Sequence, residues 1–173
     1  NPSGRLSIEE ERVSQLAREG RIPSWPFEAM APVPVALFHL QGVLELRLTG
    51  SRTLVELPPE IGLCRHLETM SLICNSLSAI PAEVGMLKEL GYLYLNGNFI
   101  RTIPAEVCAL PKLQEICLDA NCIEEAPCFS STRLRLYTAP GNKFPDIPLA
   151  PHFDRLEVHG NQIRNIIPMN WGP

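Results

Sequence analysis

Three carboxylates follow prolines at a constant interval, and their spacing is the first feature of this sequence that could serve chemistry. Each stands in a Pro-Xaa-Glu step, with glutamates at positions 60, 83 and 106. A row of carboxylates could attract a divalent cation. However, single carboxylates 23 residues apart do not provide the roughly six to eight oxygen ligands that Ca²⁺ takes. Proline favours the start of a short helix, where the helix dipole stabilises an acidic side chain. The spacing therefore predicts short helical turns after these prolines and no metal site.

The cysteines and histidines do not form the clusters that zinc binding or nucleophilic catalysis needs. The six cysteines include no CxxC pair, the Cys64-x-His66 step stands alone, and the four histidines are scattered. Gly-x-Ser-x-Gly, His-Glu-x-x-His and phosphate-binding glycine loops are absent from the sequence. We therefore expect a protein that is not an enzyme and binds no cofactor. Its cysteines are expected to be mostly reduced thiols in a reducing compartment.

A period of 23 residues organises the centre of the chain. The prolines at positions 58, 81, 104 and 127 are each 23 residues apart. The pattern Leu-x-x-Leu-x-Leu-x-x-Asn-x-Leu, with Met or Ile at some apolar positions, begins at residues 67, 90 and 113. More irregular units begin at residues 43, 134 and 153, and half a unit covers 33–43. The sequence therefore contains six units and a preceding half-unit.

This pattern, LxxLxLxxNxLxxIPxE, resembles the leucine-rich repeat family, in particular its intracellular type with units of about 23 residues. That group includes Ras-associated scaffolds, and the resemblance covers roughly residues 33–168. It implies a solenoid with a scaffold or adaptor role, including contacts with small GTPases or phosphatases. The shared motif specifies the fold, so the resemblance does not select a partner.

The alternation of apolar residues predicts the same architecture from physical principles. A Leu-x-Leu step buries alternate residues and predicts one short strand per unit, and strands repeated in this way stack in parallel. We expect an α/β solenoid: a leucine-rich repeat horseshoe with six short parallel strands on its concave face, plus a half-unit and an N-terminal capping helix. The expected segments are 1–42 (capping helix, Pro-rich strap and half-repeat), 43–168 (repeat domain) and 169–173 (C-terminal tail).

The terminal units of such a solenoid need covering because they would otherwise expose core. Ser7 and Glu10 form a capping box that predicts a helix over 7–19. A proline-rich strap with Trp25 and Phe27 follows at 21–34. No cap is recognisable after the last unit, which is expected to be frayed, covered by a partner or continued in a longer chain.

One asparagine per unit stands where its strand ends and the backbone bends. A buried amide can donate to and accept from backbone groups that the bend leaves unpaired, so we predict a structural asparagine ladder. Its members are Asn75, Asn98, Asn121, Asn142 and Asn161.

The concave face is predicted to carry the residues that lie between and just after the inward leucines of each strand. Two tyrosines meet on its third strand, at positions 92 and 94. Exposed aromatic residues at the centre of a face, with an acidic rim, are typical of protein interfaces, although tyrosine is also favoured in strands generally. The patch would suit an apolar or aromatic side chain flanked by Lys or Arg. The predicted partner-binding residues are Tyr92, Tyr94, Ile73, Asn96, Glu115, Cys117, Asp119, Leu136, Arg47, Arg155 and Glu157.

Charge and hydropathy limit the class of partner. The chain has 15 basic and 19 acidic residues, a net charge of −4, and its arginines do not align in one column of the repeat. Nucleic acid and anionic membranes are therefore not expected partners, and no apolar run approaches the roughly 18 residues of a membrane span. We predict an intracellular module, in the cytoplasm or an organelle, that binds a protein partner on its concave face. The alternative is a constitutive structural subunit of a large multiprotein assembly.

Overall fold

Six short parallel strands form the framework of the protein. The computed structural model describes residues 43–50, 52–147 and 153–164. The strands pair in chain order in one sheet. Their bounds are Glu45–Arg47 (β1), Thr69–Ser71 (β2), Tyr92–Tyr94 (β3), Glu115–Cys117 (β4), Leu136–Thr138 (β5) and Arg155–Glu157 (β6). The predicted capping helix at 7–19, the strap at 21–34 and the tail at 169–173 lie outside the described residues.

The register of the sheet places equivalent residues of successive units side by side. Tyr92 pairs with Thr69 on one side and Glu115 on the other, and every strand continues this alignment. The central residue of each strand points into the core, and five of the six are at most 1 % exposed. The predicted solenoid of six parallel strands is therefore confirmed.

The core is one continuous apolar stack built from the repeated positions. The leucines and isoleucines of the pattern that begins at residues 67, 90 and 113 are fully buried, and Tyr137 and Phe144 replace two of them in unit five. There the ring of Tyr137 packs 5.5 Å from that of Phe129 and 5.8 Å from that of Phe153. The last unit is more open, with Leu156 and Val158 only partly buried against the core.

Three short helical turns lie on the convex side, after the prolines at 58, 81 and 104. The first convex turn (Pro59–Leu63) and the second (Ala82–Met86) are 3-10 helices, and α1 (Ala105–Cys108) is a single α-helical turn. Each begins one residue after its repeat proline, and a glutamate lies in its first turn. The predicted turns are present. The repeat proline lies immediately before each turn rather than inside the turn.

Adjacent convex turns touch through glycines. A Cβ atom at Gly85 would stand 2.5 Å from Cβ and 2.7 Å from the carbonyl oxygen of Glu106 on α1. At Gly62 the nearest atoms would be Met86 Sδ at 3.0 Å and the Glu83 carbonyl oxygen at 3.1 Å. A side chain at Gly85 would clash with the backbone of Glu106, whereas one at Gly62 would require its neighbours to shift by a few tenths of an ångström.

The row of convex turns ends after α1. Residues 127–133 of the fourth unit are all described, and none of them is helical. Cys108 occupies in α1 the place that Gly62 and Gly85 occupy in the preceding turns. A side chain fits there because no fourth turn packs against α1. Within the described part of the chain, no helix is long and apolar enough to cross a membrane.

Candidate functional site

The asparagine ladder lies at the edge of the sheet where each strand ends. Asn98 Nδ2 donates to the carbonyls of Leu72 and Leu95, both at 2.9 Å, and its Oδ1 accepts from the Leu77 N–H at 3.1 Å. Asn75, Asn121, Asn142 and Asn161 likewise donate to one carbonyl of their own unit and one of the preceding unit. Each amide therefore joins two neighbouring units.

The backbone turns sharply between the concave face and this ladder. Cys74 and Ala120 have positive φ values of 56° and 51°, and Gly97 stands at the equivalent place with φ of 69°. Left-handed backbone is unusual for residues with a side chain, so Cys74 and Ala120 carry local strain. This repeated turn holds the last residue of each concave row, such as Asn96, in a fixed orientation.

Two tyrosines form the centre of the concave face. Both tyrosines of β3 are half-buried, and their side chains lie on the same side of the sheet because Leu93 between them points into the core. The Tyr94 hydroxyl donates to Glu115 Oε2 on β4 at 2.9 Å. Partial burial, followed by this hydrogen bond, raises the pKa of Tyr94 to about 12. The hydroxyl therefore stays protonated and remains a donor at neutral pH.

Two carboxylates beside the tyrosines are held by neutral groups. Glu115 accepts the Tyr94 hydroxyl, and Asp119 Oδ2 accepts from Asn96 Nδ2 at 2.9 Å. No described cation forms an ion pair with either carboxylate. Neutral donors orient the carboxylates without cancelling their charge, so the centre of the face remains electronegative.

At each end of the concave face, an arginine and a glutamate of the same strand form an ion pair. On β1 Arg47 Nε donates to Glu45 Oε1 at 2.6 Å, and on β6 Arg155 Nε donates to Glu157 Oε1 at 2.7 Å. Each pair lies within one strand and is largely exposed, so it contributes little stability. The uncompensated charge is therefore concentrated in the middle of the sheet.

The structure brings eight of the eleven predicted residues together on β3, β4 and the adjoining parts of neighbouring units. This set, the central patch, consists of Ile73, Tyr92, Tyr94, Asn96, Glu115, Cys117, Asp119 and Leu136, and all of its members are half-buried. Arg47 is separated from β3 by β2, and Arg155 and Glu157 are separated from β4 by β5. Those three belong to the two ends of the face rather than to the central patch.

Sequence reasoning did not include Thr138 among the site residues, although it follows Cys117 in the same column. Burial raises the pKa of the Cys117 thiol, and its contact with Thr138 partly offsets this effect. The column position was the signal that could have identified Thr138. Among the residues that the structure describes, no group of three or more His, Cys, Asp or Glu side chains could hold a metal ion.

All six cysteines are free thiols in the structure. Cys64 and Cys108 are buried, and burial raises the pKa of each thiol to about 11. Cys74 and Cys128 are exposed. The buried thiols act as small packing groups because their reactive thiolate form is disfavoured.

Comparison with known proteins identifies leucine-rich repeats in the middle of the chain. The sequence profile described as "Leucine rich repeat" matches residues 65–123, which contain β2, β3 and β4. The chain therefore contains leucine-rich repeats. A leucine-rich repeat protein of Leptospira interrogans is 25% identical, with a TM-score of 0.56, over 77% of this chain and 41% of that structure.

Two further solved structures share the fold. A plant ice-binding protein is 20% identical with a TM-score of 0.54, over 75% of this chain and 53% of its own. An internalin from Listeria monocytogenes is 13% identical with a TM-score of 0.51, over 91% of this chain and 57% of its own. This leucine-rich repeat chain therefore spans about half the length of the structures that it matches. No curated protein matches its sequence.

Proposed function

We propose that this leucine-rich repeat protein is a non-catalytic recognition module, a scaffold or adaptor, whose concave face binds a segment of a partner protein. The observation that carries the proposal is the central patch, where two half-buried tyrosines adjoin two carboxylates that form no ion pair with any cation in the described part of the chain. Solenoids of this kind use extended concave surfaces for binding.

The chemistry of the patch selects a class of partner. Tyrosine rings provide rigid apolar area at a low entropy cost, and aromatic residues dominate interface energies. Glu115 and Asp119 lie on either side of Cys117 along the fourth unit and are both acceptors. A matching segment would place an apolar or aromatic side chain on the rings and Lys or Arg beside the carboxylates. Nucleic acid would be repelled by the same charges.

The test compares partner capture by the wild-type protein and by the double variant Tyr92→Ala/Tyr94→Ala. We expect that one protein captured by the wild type is not captured by the double variant, and that the double variant keeps the wild-type melting temperature. Phe99→Ala is the matched control, because Phe99 is 59% exposed and lies outside the concave columns. Equal capture by all three proteins would refute the assignment of the concave face.

A constitutive subunit of a large assembly is the second candidate function. Leu63 and Met86 are 46% and 44% exposed at equivalent places on adjacent convex turns. Exposed apolar neighbours on a surface favour contact with another protein. A stoichiometric assembly that is captured equally with and without the tyrosines would support this candidate.

The proposal also places the protein inside the cell, in a reducing compartment. The six free thiols support this location, because disulfides form in oxidising compartments and cysteines there are usually paired. Localisation of the tagged full-length protein is the direct test, and secretion into an oxidising space would refute it.

A further inference from the structure

Ala126 interrupts a column of large apolar side chains that precedes the convex segments. The first three units place Leu57, Ile80 and Ile103 in this column, and the fifth places Ile147 there. The single methyl group of Ala126 cannot fill the corresponding space in the fourth unit. Ala126 lines two surface cavities, one of about 220 Å³ beside the third unit and one of about 320 Å³ beside the fifth.

The two cavities share Glu125, Ala126 and Cys128 in their lining and therefore adjoin each other in one surface region. We call it the Ala126 groove. Its first half extends to Ile103 and Cys108, and its second half extends to Pro145 and Ile147. Its lining is thus mainly apolar, and its larger half reaches the lower end of the roughly 300–1,000 Å³ range of ligand pockets.

The missing fourth convex turn leaves this groove open. Ser130 N–H donates to the Cys108 carbonyl at 3.1 Å, so an extended segment rather than a helix runs beside α1. A helical turn at this place would pack against α1 as the second convex turn does. The two departures from the repeat, a small residue in the apolar column and a non-helical segment, therefore coincide at one surface.

The charged residues that line the groove are all acidic. Glu124 and Glu125 are exposed, and Asp146 lines the second half. Glu124 and Glu125 form no ion pair within the described residues. Arg101 precedes Glu124 by one unit but does not line either cavity. A ligand that fits the apolar floor would therefore gain from a positive charge at its edge.

We propose that the Ala126 groove binds a second protein segment, in which a Leu, Ile or Met side chain is flanked by Lys or Arg. The apolar side chain occupies the space beside Ala126, and the cation lies next to Glu124 and Glu125. This site is on a different surface from the central patch and does not depend on the function proposed there.

The test is a titration of the isotope-labelled full-length protein with short synthetic peptides, followed by amide chemical shifts. The peptides carry a central Leu between Arg and Lys, and a matched set carries Leu between two Glu residues. With the basic peptides we expect saturable amide shifts at Ala126 and Ile147, and we expect the affinity to fall at least several-fold at high salt. The acidic peptides should cause no shifts.

Two variants separate binding from folding. Ala126→Ile restores the side chain found at positions 80 and 103, so it should abolish peptide binding without lowering the melting temperature. Glu125→Gln should weaken binding several-fold. Glu56→Gln is its matched control, because Glu56 is exposed at the equivalent position of the first unit. It should leave peptide binding unchanged.

Four results would overturn the proposal. The first is the absence of shifts at millimolar peptide, and the second is unchanged binding by Ala126→Ile. The third is a set of shifts that appears on concentrating the protein without peptide, which would mean that a second copy of this chain covers the groove. Shifts confined to β3 and β4 would likewise refute the groove while supporting the central patch.

Discussion

Replacing Asn98 with alanine removes one complete rung of the asparagine ladder. The change leaves the buried Leu77 N–H without an acceptor and takes one donor from each of two carbonyls. Both carbonyls keep a donor from a neighbouring asparagine of the ladder. The orphaned N–H costs about 1–3 kcal/mol, and loss of the two bonds to carbonyls that remain satisfied adds about 1 kcal/mol. We therefore expect a loss of about 2–4 kcal/mol in the free energy of unfolding.

Urea unfolding followed by circular dichroism measures this loss, and Asn161→Ala is its matched control. Asn161 donates to two carbonyls, but its Oδ1 has no donor among the described residues, and the side chain is only half-buried. Truncating it removes two hydrogen bonds without orphaning an N–H, so the cost should stay near 1 kcal/mol. The reasoning is refuted if the two variants lose equal stability, because the orphaned N–H would then contribute nothing.

Three further outcomes can be measured on the purified protein. Gly85→Ala should cost several kcal/mol of stability in a urea melt, because its Cβ would overlap Glu106 at 2.5 Å. The Cys108 thiol should react with iodoacetamide much more slowly at pH 8 than that of Cys128, because Cys108 is buried with its pKa raised to about 11, and mass spectrometry of the labelled sites measures the ratio. Tyr94 has a pKa of about 12 when folded and about 10 when unfolded, so its stabilising contribution is complete below pH 10 and is lost as the pH rises through 12. Tyr94→Phe should therefore flatten the fall of stability over that pH range.

The first of these outcomes has a matched control variant, and each of the three can be contradicted by a stated result. Gly50→Ala places a Cβ where nothing lies within 4 Å, so it carries only the strain of its φ of 78° and should cost less than the change at Gly85. A similar loss at both glycines would contradict the close contact of the convex turns. Equal labelling of Cys108 and Cys128 would mean that α1 opens readily. An unchanged pH profile for Tyr94→Phe would mean that burial and the hydrogen bond to Glu115 do not raise the pKa of Tyr94 in solution.

The strands and the ladder could be predicted because each unit repeats the same local pattern. Met70, Leu93 and Ile116 occupy one position of that pattern, and the sheet pairs them directly. The same alignment places Tyr92 and Tyr94 on one face without any knowledge of side-chain conformation. Period-two alternation and the repeat length were enough, because each unit contacts chiefly its neighbours.

Features that depend on how two units meet could not be predicted in this way. The Tyr94 hydroxyl could have donated to several groups, and only the placement of β4 selects Glu115. The end of the convex row after α1 depends on a non-helical segment that begins with Pro127, although that proline keeps the 23-residue interval. The groove beside Ala126 follows from this non-helical segment and from the small side chain at position 126. That single small residue in an apolar column was the only sign of the groove in the sequence.

The narrow convex side has a consequence for the curvature of the solenoid. Strands in a sheet are spaced about 4.8 Å apart, whereas packed helices with full side chains are about 8–10 Å apart, and this difference bends a solenoid toward its strands. Here Gly62 and Gly85 allow short turns to approach until their backbones nearly touch, so the two sides differ less in spacing. The sheet should bend gently, and its shallow face would fit an extended segment or a flat protein surface better than an enclosed helix.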